Sequence, residues 1–376
     1  MASDLRDQAG ADFGRGAGTE TAGASSVPAR FAPFGTMLRQ AAAGGYAVAA
    51  FNVYDLATFR AAVAAARRRK APVILALGER YFHLMRPRTA VALLQALLEE
   101  AAGSAGEGVA ASEGEVAGAA DGDARTPGSS LWRPAIGLHL DHAASPEHCL
   151  EAIEAGFSSV MIDASHLPFE ENVRVTKAVV DAAHARGAGV EAELGGIAAG
   201  EASHEFSDGT EALTDPDQAA AFVAATGVDA LAVSVGTVHG LYRGEPHIDL
   251  PRLEAIRARV DVPLVLHGGS GTPADLLKAA IARGVAKVNV NTEISLAAVQ
   301  RIASTVAERP KAHLSELTVA AEGAAQEVME AYIDRFLWPG PDVGSGQTSD
   351  VRPAGPETPR ERAAGGPAAG GQAVER

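Results

Sequence analysis

The sequence predicts an α/β protein built as a single (β/α)8 barrel, with disordered tails at both ends and a low-complexity insertion. Three observations carry that prediction. Short apolar, β-branched runs alternate with longer helical patterns, giving eight strands in all. With the segments lacking bulky apolar residues set aside, roughly 280 residues remain, near the ~250 of one such barrel. No G-x-G-x-x-G follows the first strand, as the competing doubly wound open sheet would typically show.

The segments set aside are 1–30, 102–130 and 339–376, rich in Gly, Ala, Ser, Pro and charge. None can bury enough apolar surface to offset its ordering entropy, so all three are expected to be disordered. The barrel domain then occupies 31–338, with the 102–130 stretch inserted into it. The predicted strands are Ala47–Asn52, Val73–Leu77, Ile136–Leu140, Ser159–Asp163, Gly189–Leu194, Ala230–Val235, Leu264–His267 and Ala286–Val290. Helical patterns cover Leu56–Lys70, Arg88–Glu100, Pro146–Ala155, Phe169–Arg186, Asp217–Ala225 and Pro273–Arg283. Ser145-Pro146 and Thr272-Pro273 each put a hydroxyl at the expected N-cap and proline at the first helical position. An apolar helix near Ala320–Leu337 is a candidate interface.

Composition narrows the function classes. The 376 residues are 47% hydrophobic and 21% charged, with a net charge of −15. So acidic a chain lacks the basic face that nucleic acid requires and the polybasic runs that hold a protein on an anionic membrane. Its single cysteine, Cys149, rules out an intrachain disulfide and a cysteine-based zinc site. No run of about 18 apolar residues spans a bilayer, and the first thirty residues hold no signal-like apolar region. The default compartment is the cytoplasm.

The informative pattern is where polar residues fall. Asn52, Asp141-His142, Asp163, Glu191 and Glu193, His239-Gly240, His267, and Asn289 with Asn291 all lie at or near predicted strand ends. In a barrel these ends share the C-terminal rim, where active sites sit. Three histidines from different strands, with a position left open, suit a catalytic divalent metal. "HGGSGTP" and "NVNTE" each lead from a strand into a helix. Such turns bring backbone N–H groups and a helix N-terminus toward a phosphate.

Seven segments in order resemble the class II, metal-dependent ketose-bisphosphate aldolases that act on fructose or tagatose bisphosphate. They are "GGYAVAAFNV", "LHLDHAAS", "EAGFSSVMIDASHLPFEENV", "VEAELG", "VSVGTVHGLY", "VPLVLHGGSG" and "AKVNVNTE". The resemblance runs from about Phe34 to Trp338 outside the insertion. It implies a TIM barrel, a zinc or other divalent ion, and cleavage of a sugar bisphosphate to dihydroxyacetone phosphate and glyceraldehyde 3-phosphate. It also implies a homodimer or homotetramer, and a monovalent cation near the site. By this resemblance His142, His239 and His267 hold the metal, with Asp163 and Glu193 as secondary ligands. Asp141 would take the hydroxyl proton at the cleaved bond, and Glu201, on a mobile loop, would protonate the carbanion. Gly240, Gly268, Ser270, Asn289 and Thr292 would hold dihydroxyacetone phosphate, with Asn52 and Asn291 beside them. The chain departs from the family at Ala198-Ala199, where Gly-Gly is usual, at Ala202, and at Gly78, where Ser or Thr is common.

Blander readings stand beside these. His139 alternates with Asp141 inside a strand and is expected to be a hydrogen-bonded core residue. His148 is expected at the surface, and Cys149 buried on a helix. A glutamate in a polar loop, such as Glu201, is ordinarily just solvated. Lys287, on the last strand, is the residue a rival Schiff-base aldolase would use. The same rim would also suit an aldolase for another phosphorylated ketose. A metal-dependent sugar-phosphate isomerase or epimerase would share the enediolate, and a barrel serving as a non-catalytic subunit would need none of this chemistry.

Overall fold

The computed structural model describes residues 31–103, 135–203, 212–336 and 339. The disorder expected for 1–30, for most of the insertion and for 340–376 falls outside these residues. Residues 102 and 103, counted with the insertion in the sequence, instead continue a helix. The elements run in order α1 (Phe34–Gly44), β1 (Val48–Asn52), α2 (Leu56–Arg69), β2 (Val73–Gly78), a 3-10 turn (Glu79–Tyr81) and α3 (Pro87–Gly103). Next come β3 (Ile136–Ala143), α4 (Pro146–Ala155), β4 (Ser159–Ile162), α5 (Phe169–His184), β5 (Gly189–Leu194), β6 (Ala198–Ala199) and α6 (Pro216–Thr226). The remainder are β7 (Ala230–Val233), β8 (Val238–His239), α7 (Leu250–Arg257), β9 (Leu264–Leu266), α8 (Ala274–Ile281), β10 (Val285–Val290), α9 (Thr292–Glu308) and α10 (Leu314–Arg335).

Eight strands pair in parallel and close on themselves in the order β1-β10-β9-β7-β5-β4-β3-β2. This is the predicted (β/α)8 barrel. Strand residues alternate between two environments, as the pleat requires. Val73, Leu75 and Leu77 on β2, and Leu138 and Leu140 on β3, join the outer core under the helices. Val48, Ala50, Ile74, Met161, Ala232 and Val265 join a second, interior cluster.

That interior cluster also contains Phe34, Met37, Leu38 and Ala41, one face of α1. The helix, absent from the predicted set, therefore plugs the mouth of the barrel at the starts of the strands. Phe34 stacks on His139, with ring centroids 5.4 Å apart. The lumen is thus apolar at the bottom and polar toward the strand ends. His139, Glu191 and Lys287 form a fully buried middle layer. His139 is the core residue the alternation predicts, its Nδ1 2.8 Å from Ser159 Oγ.

The helix starts follow local chemistry. Ser145 caps α4 by accepting from the His148 backbone N–H, with Pro146 at the first position, as expected. Asp215 and Asp249 cap α6 and α7 in the same way. Thr272 does not cap α8. That helix begins one residue later, at Ala274, and the Thr272 hydroxyl donates to the Gly268 carbonyl, tying the turn after β9 to itself. Cys149 is buried on α4 as predicted. No helix among the described residues is long and apolar enough to cross a membrane.

A candidate active site at the rim of the barrel

Inward alternation carries Asn52 at the end of β1, Asp141 on β3, Glu193 on β5 and Asn289 on β10 into the upper lumen. His267 follows β9 directly. β3 runs three residues past its predicted end, so Asp141 and His142 lie within the strand and not beyond it. His142 occupies a left-handed conformation, φ 45°, which a residue other than glycine adopts only under local constraint. The twist breaks the register between β3 and β4 and turns the imidazole over the rim.

His142, His239 and His267, together with Glu193, each place one donor atom within 4.8 Å of the others. Hydrogen bonds orient two of the rings. His142 Nδ1 lies 2.8 Å from Asp163 Oδ2, and His267 Nε2 lies 2.9 Å from Glu191 Oε1. Each imidazole donates that N–H to its carboxylate and turns its other nitrogen inward. The inward nitrogens, His142 Nε2 and His267 Nδ1, lie 2.8 Å apart and share a proton, whose place a metal cation would take. Glu193 Oε2 is buried there without a hydrogen-bond partner. The cluster therefore fits a divalent ion, and its nitrogen-rich donor set suits zinc. Asp163 lies outside the cluster of donor atoms and acts through His142.

Burial, and then the neighbouring His142, push His239 and His267 below the ordinary imidazole range. For His142 burial also works downward, but Asp141 and Asp163 outweigh it and raise the imidazole well above that range. Burial and the nearby Asp163 carboxylate raise Glu193 well above its usual value. For Asp141, burial works upward, but His142, His267 and Lys287 outweigh it and hold the carboxyl below its ordinary range. Its two oxygens accept from Asn52 Nδ2 at 2.8 Å and Asn289 Nδ2 at 3.0 Å.

Lys287 is fully buried below this layer, its Nζ 3.0 Å from Glu191 Oε1 and 2.9 Å from Oε2. A lysine held in that ion pair offers no lone pair to a ketone. Breaking such a buried pair by removing one partner costs about 3–5 kcal/mol.

One cavity brings together nearly every residue singled out in the sequence. It is lined by Asn52, Asp141, His142, His239, Gly240, His267, Gly268, Ser270, Asn289, Asn291 and Thr292. Two glycines make its wall. Gly268 has φ 72°, and a side chain there would come within 2.2 Å of the Val238 carbonyl oxygen. Gly240 has φ 97°, and a side chain there would come within 2.4 Å of the Glu201 carbonyl oxygen. Ser270 Oγ accepts from the Asn291 and Glu293 backbone N–H groups at 3.3 and 3.4 Å. α9 starts at Thr292 with no side-chain cap from Asn291, so its positive end meets the cavity.

Glu201 is the expected catalytic residue that the structure leaves outside. It is exposed and does not line the cavity. Its backbone exchanges two hydrogen bonds with Leu241, at 2.8 and 2.7 Å, next to the short β6–β8 pairing of Ala199 with His239. Sequence reasoning missed two partners, Asp163 as the anchor of His142 and Glu191 as the anchor of His267. The signal for Glu191 was its alternation with Glu193 into the lumen; nothing in the sequence paired it with His267.

The profile of the family described as fructose-bisphosphate aldolase class-II matches residues 33–339. The chain belongs to this family. This class II aldolase is 40% identical over 278 residues to a fructose-bisphosphate aldolase of Geobacillus stearothermophilus, spanning 74% of the present chain and 86% of that protein. It is 39% identical over 275 residues to a probable fructose-bisphosphate aldolase of Bacillus subtilis, spanning 73% and 86%. Among solved structures, its barrel matches the YdjI aldolase of Escherichia coli K12 with a TM-score of 0.64 and 31% identity, over 81% of this chain and 97% of that one.

Proposed function

We propose that the chain is a metal-dependent aldolase that reversibly cleaves fructose 1,6- or tagatose 1,6-bisphosphate to dihydroxyacetone phosphate and glyceraldehyde 3-phosphate. The observation that carries this reading is a single cavity lined by three histidines with converging donor atoms, an ionised aspartate, and the turn of Gly268 and Ser270 at the start of α9. His142, His239 and His267, joined by Glu193, would hold the divalent ion. When bound, that ion acts as a Lewis acid toward the ketone oxygen, on which cleavage leaves negative charge.

The other steps belong to the chain's own groups. Asp141 accepts the hydroxyl proton as the carbon–carbon bond breaks, aimed by Asn52 and Asn289. The first phosphate sits on the turn of Gly268 and Ser270 and the start of α9, at Asn291 and Thr292, with Gly240 opposite. Glu201 returns a proton to the carbanion carbon after its loop closes over the cavity, which also excludes water. The same reading takes the enzyme to work in the cytoplasm as a homodimer or homotetramer.

The test is direct. Purified protein is assayed for triose phosphate release from each bisphosphate, before and after treatment with a chelator. Loss of turnover on chelation and recovery with zinc are expected. Inactivation by borohydride in the presence of substrate would mark a Schiff base and overturn the reading.

A further inference from the structure

Asp141 marks where the bond would break, so the residues beyond it meet the departing aldehyde half. Its register partner on β2 is Gly78. Gly78 lies on the strand face that carries Ile74 into the lumen, so a side chain at this position would project over the cavity mouth. Its place is taken by neighbours. A methyl group on Gly78 would lie 3.2 Å from Tyr81 Cδ2 and 3.5 Å from Arg80 Cγ. The Glu79–Tyr81 turn thus sets the Tyr81 ring and the stem of the exposed Arg80 against the end of β2, next to the strand that carries Asp141 and just outside the cavity lining.

Tyr81 is braced there. Its ring lies 4.8 Å from that of Tyr54, and its hydroxyl is 3.5 Å from the side-chain nitrogen of Asn291, which lines the cavity. The Arg80 guanidinium stands 5.6 Å from the centre of the Tyr81 ring. Among the described residues it has no carboxylate partner, whereas Arg86, a few residues on, is paired with Glu151. The cavity lining itself contains no lysine or arginine. The cradle at Ser270 and α9 accounts for one phosphate, and the far end of a bisphosphate needs a second cationic partner.

We propose that Arg80, steadied by Tyr81, is the specificity-determining residue for the aldehyde half. It binds a terminal phosphoryl group and sets the preference for a ketose 1,6-bisphosphate over a ketose 1-phosphate. A guanidinium suits this task because it is always charged and can pair two N–H donors with two phosphate oxygens. Arg80 touches no reacting atom, so its effect is confined to substrates that carry the second phosphate. The proposal rests on the aldolase reading above.

The experiment compares kcat/KM for fructose 1,6-bisphosphate and fructose 1-phosphate in the zinc-loaded wild type, Arg80→Gln and Arg80→Lys. Arg80→Gln is expected to lose about 10- to 100-fold on the bisphosphate, the worth of one charge-assisted contact. Loss on the monophosphate should stay below about 3-fold, and Arg80→Lys should retain part of the preference. Equal losses on both substrates, or an unchanged bisphosphate rate, would overturn the proposal. So would a wild type that cleaves the monophosphate as well as the bisphosphate. A wild type that cleaves neither would instead remove the aldolase reading itself.

Discussion

Asp141 owes its character to residues from four other places in the chain. Asn52 and Asn289 saturate one lone pair on each oxygen, while the neighbouring His142, His267 and Lys287 hold the carboxyl below its ordinary range against the pull of burial. Replacing it with the isosteric asparagine keeps the volume, removes the base and sets its amide N–H2 against one of the two carboxamide donors. Asp141→Asn should lower kcat by about 10^2- to 10^4-fold, with metal content unchanged. Steady-state kinetics paired with metal analysis checks both halves of that expectation. The alternation of Leu138 and Leu140 with His139 and Asp141 made this residue legible in the sequence. The anchors of the histidines were not, because Asp163 and Glu191 meet His142 and His267 only through space, 21 and 76 residues away along the chain.

At the scale of elements, the eight barrel strands could be read because each is short and apolar and is followed by a helical pattern or a helix-sized gap, two of which the structure fills with α7 and α9. What escaped reading has tertiary causes. α1 carries an apolar face that looks like any helix face, and only barrel closure makes it a plug. The β6–β8 pair consists of two residues on each side, below any pattern a sequence can show. Thr272 carried a cap signal, yet its hydroxyl found the Gly268 carbonyl closer at hand. The turn it ties is tightly packed, and this has a measurable result. A side chain at Gly268 would meet backbone, the Val238 carbonyl oxygen at 2.2 Å, in a conformation that L-residues rarely adopt. Gly268→Ala should destabilise the protein by about 1–3 kcal/mol and weaken metal binding, because β8, which bears His239, must shift. Denaturant titration and metal competition measure the two effects separately.

For the whole molecule, the lumen is a column graded from apolar to ionic, and its middle layer makes stability depend on pH. Burial drives His139 down to about 3 in the fold, against 6.5 in the unfolded chain. The unfolded state therefore takes up the proton first. The stability contributed is complete above pH 6.5 and is lost as pH falls toward 3, by up to ~1.4 kcal/mol per unit. His239 and His267 act in the same direction and His142 in the opposite one. The difference between wild type and His139→Gln isolates the one term. Urea midpoints of chelator-treated protein at pH 7 and pH 5 should separate more widely in the wild type than in the variant.

The pairing of Ala199 with His239, continued by Gly200 to the His239 carbonyl and by Glu201 to Leu241, joins the loop to a candidate ligand like two arms of one lever. Any swing that carries Glu201 toward the cavity must travel along the backbone that aims His239. Loop position and grip on the ion would then rise and fall together, and an enzyme stripped of its metal would lose the latch on its own door.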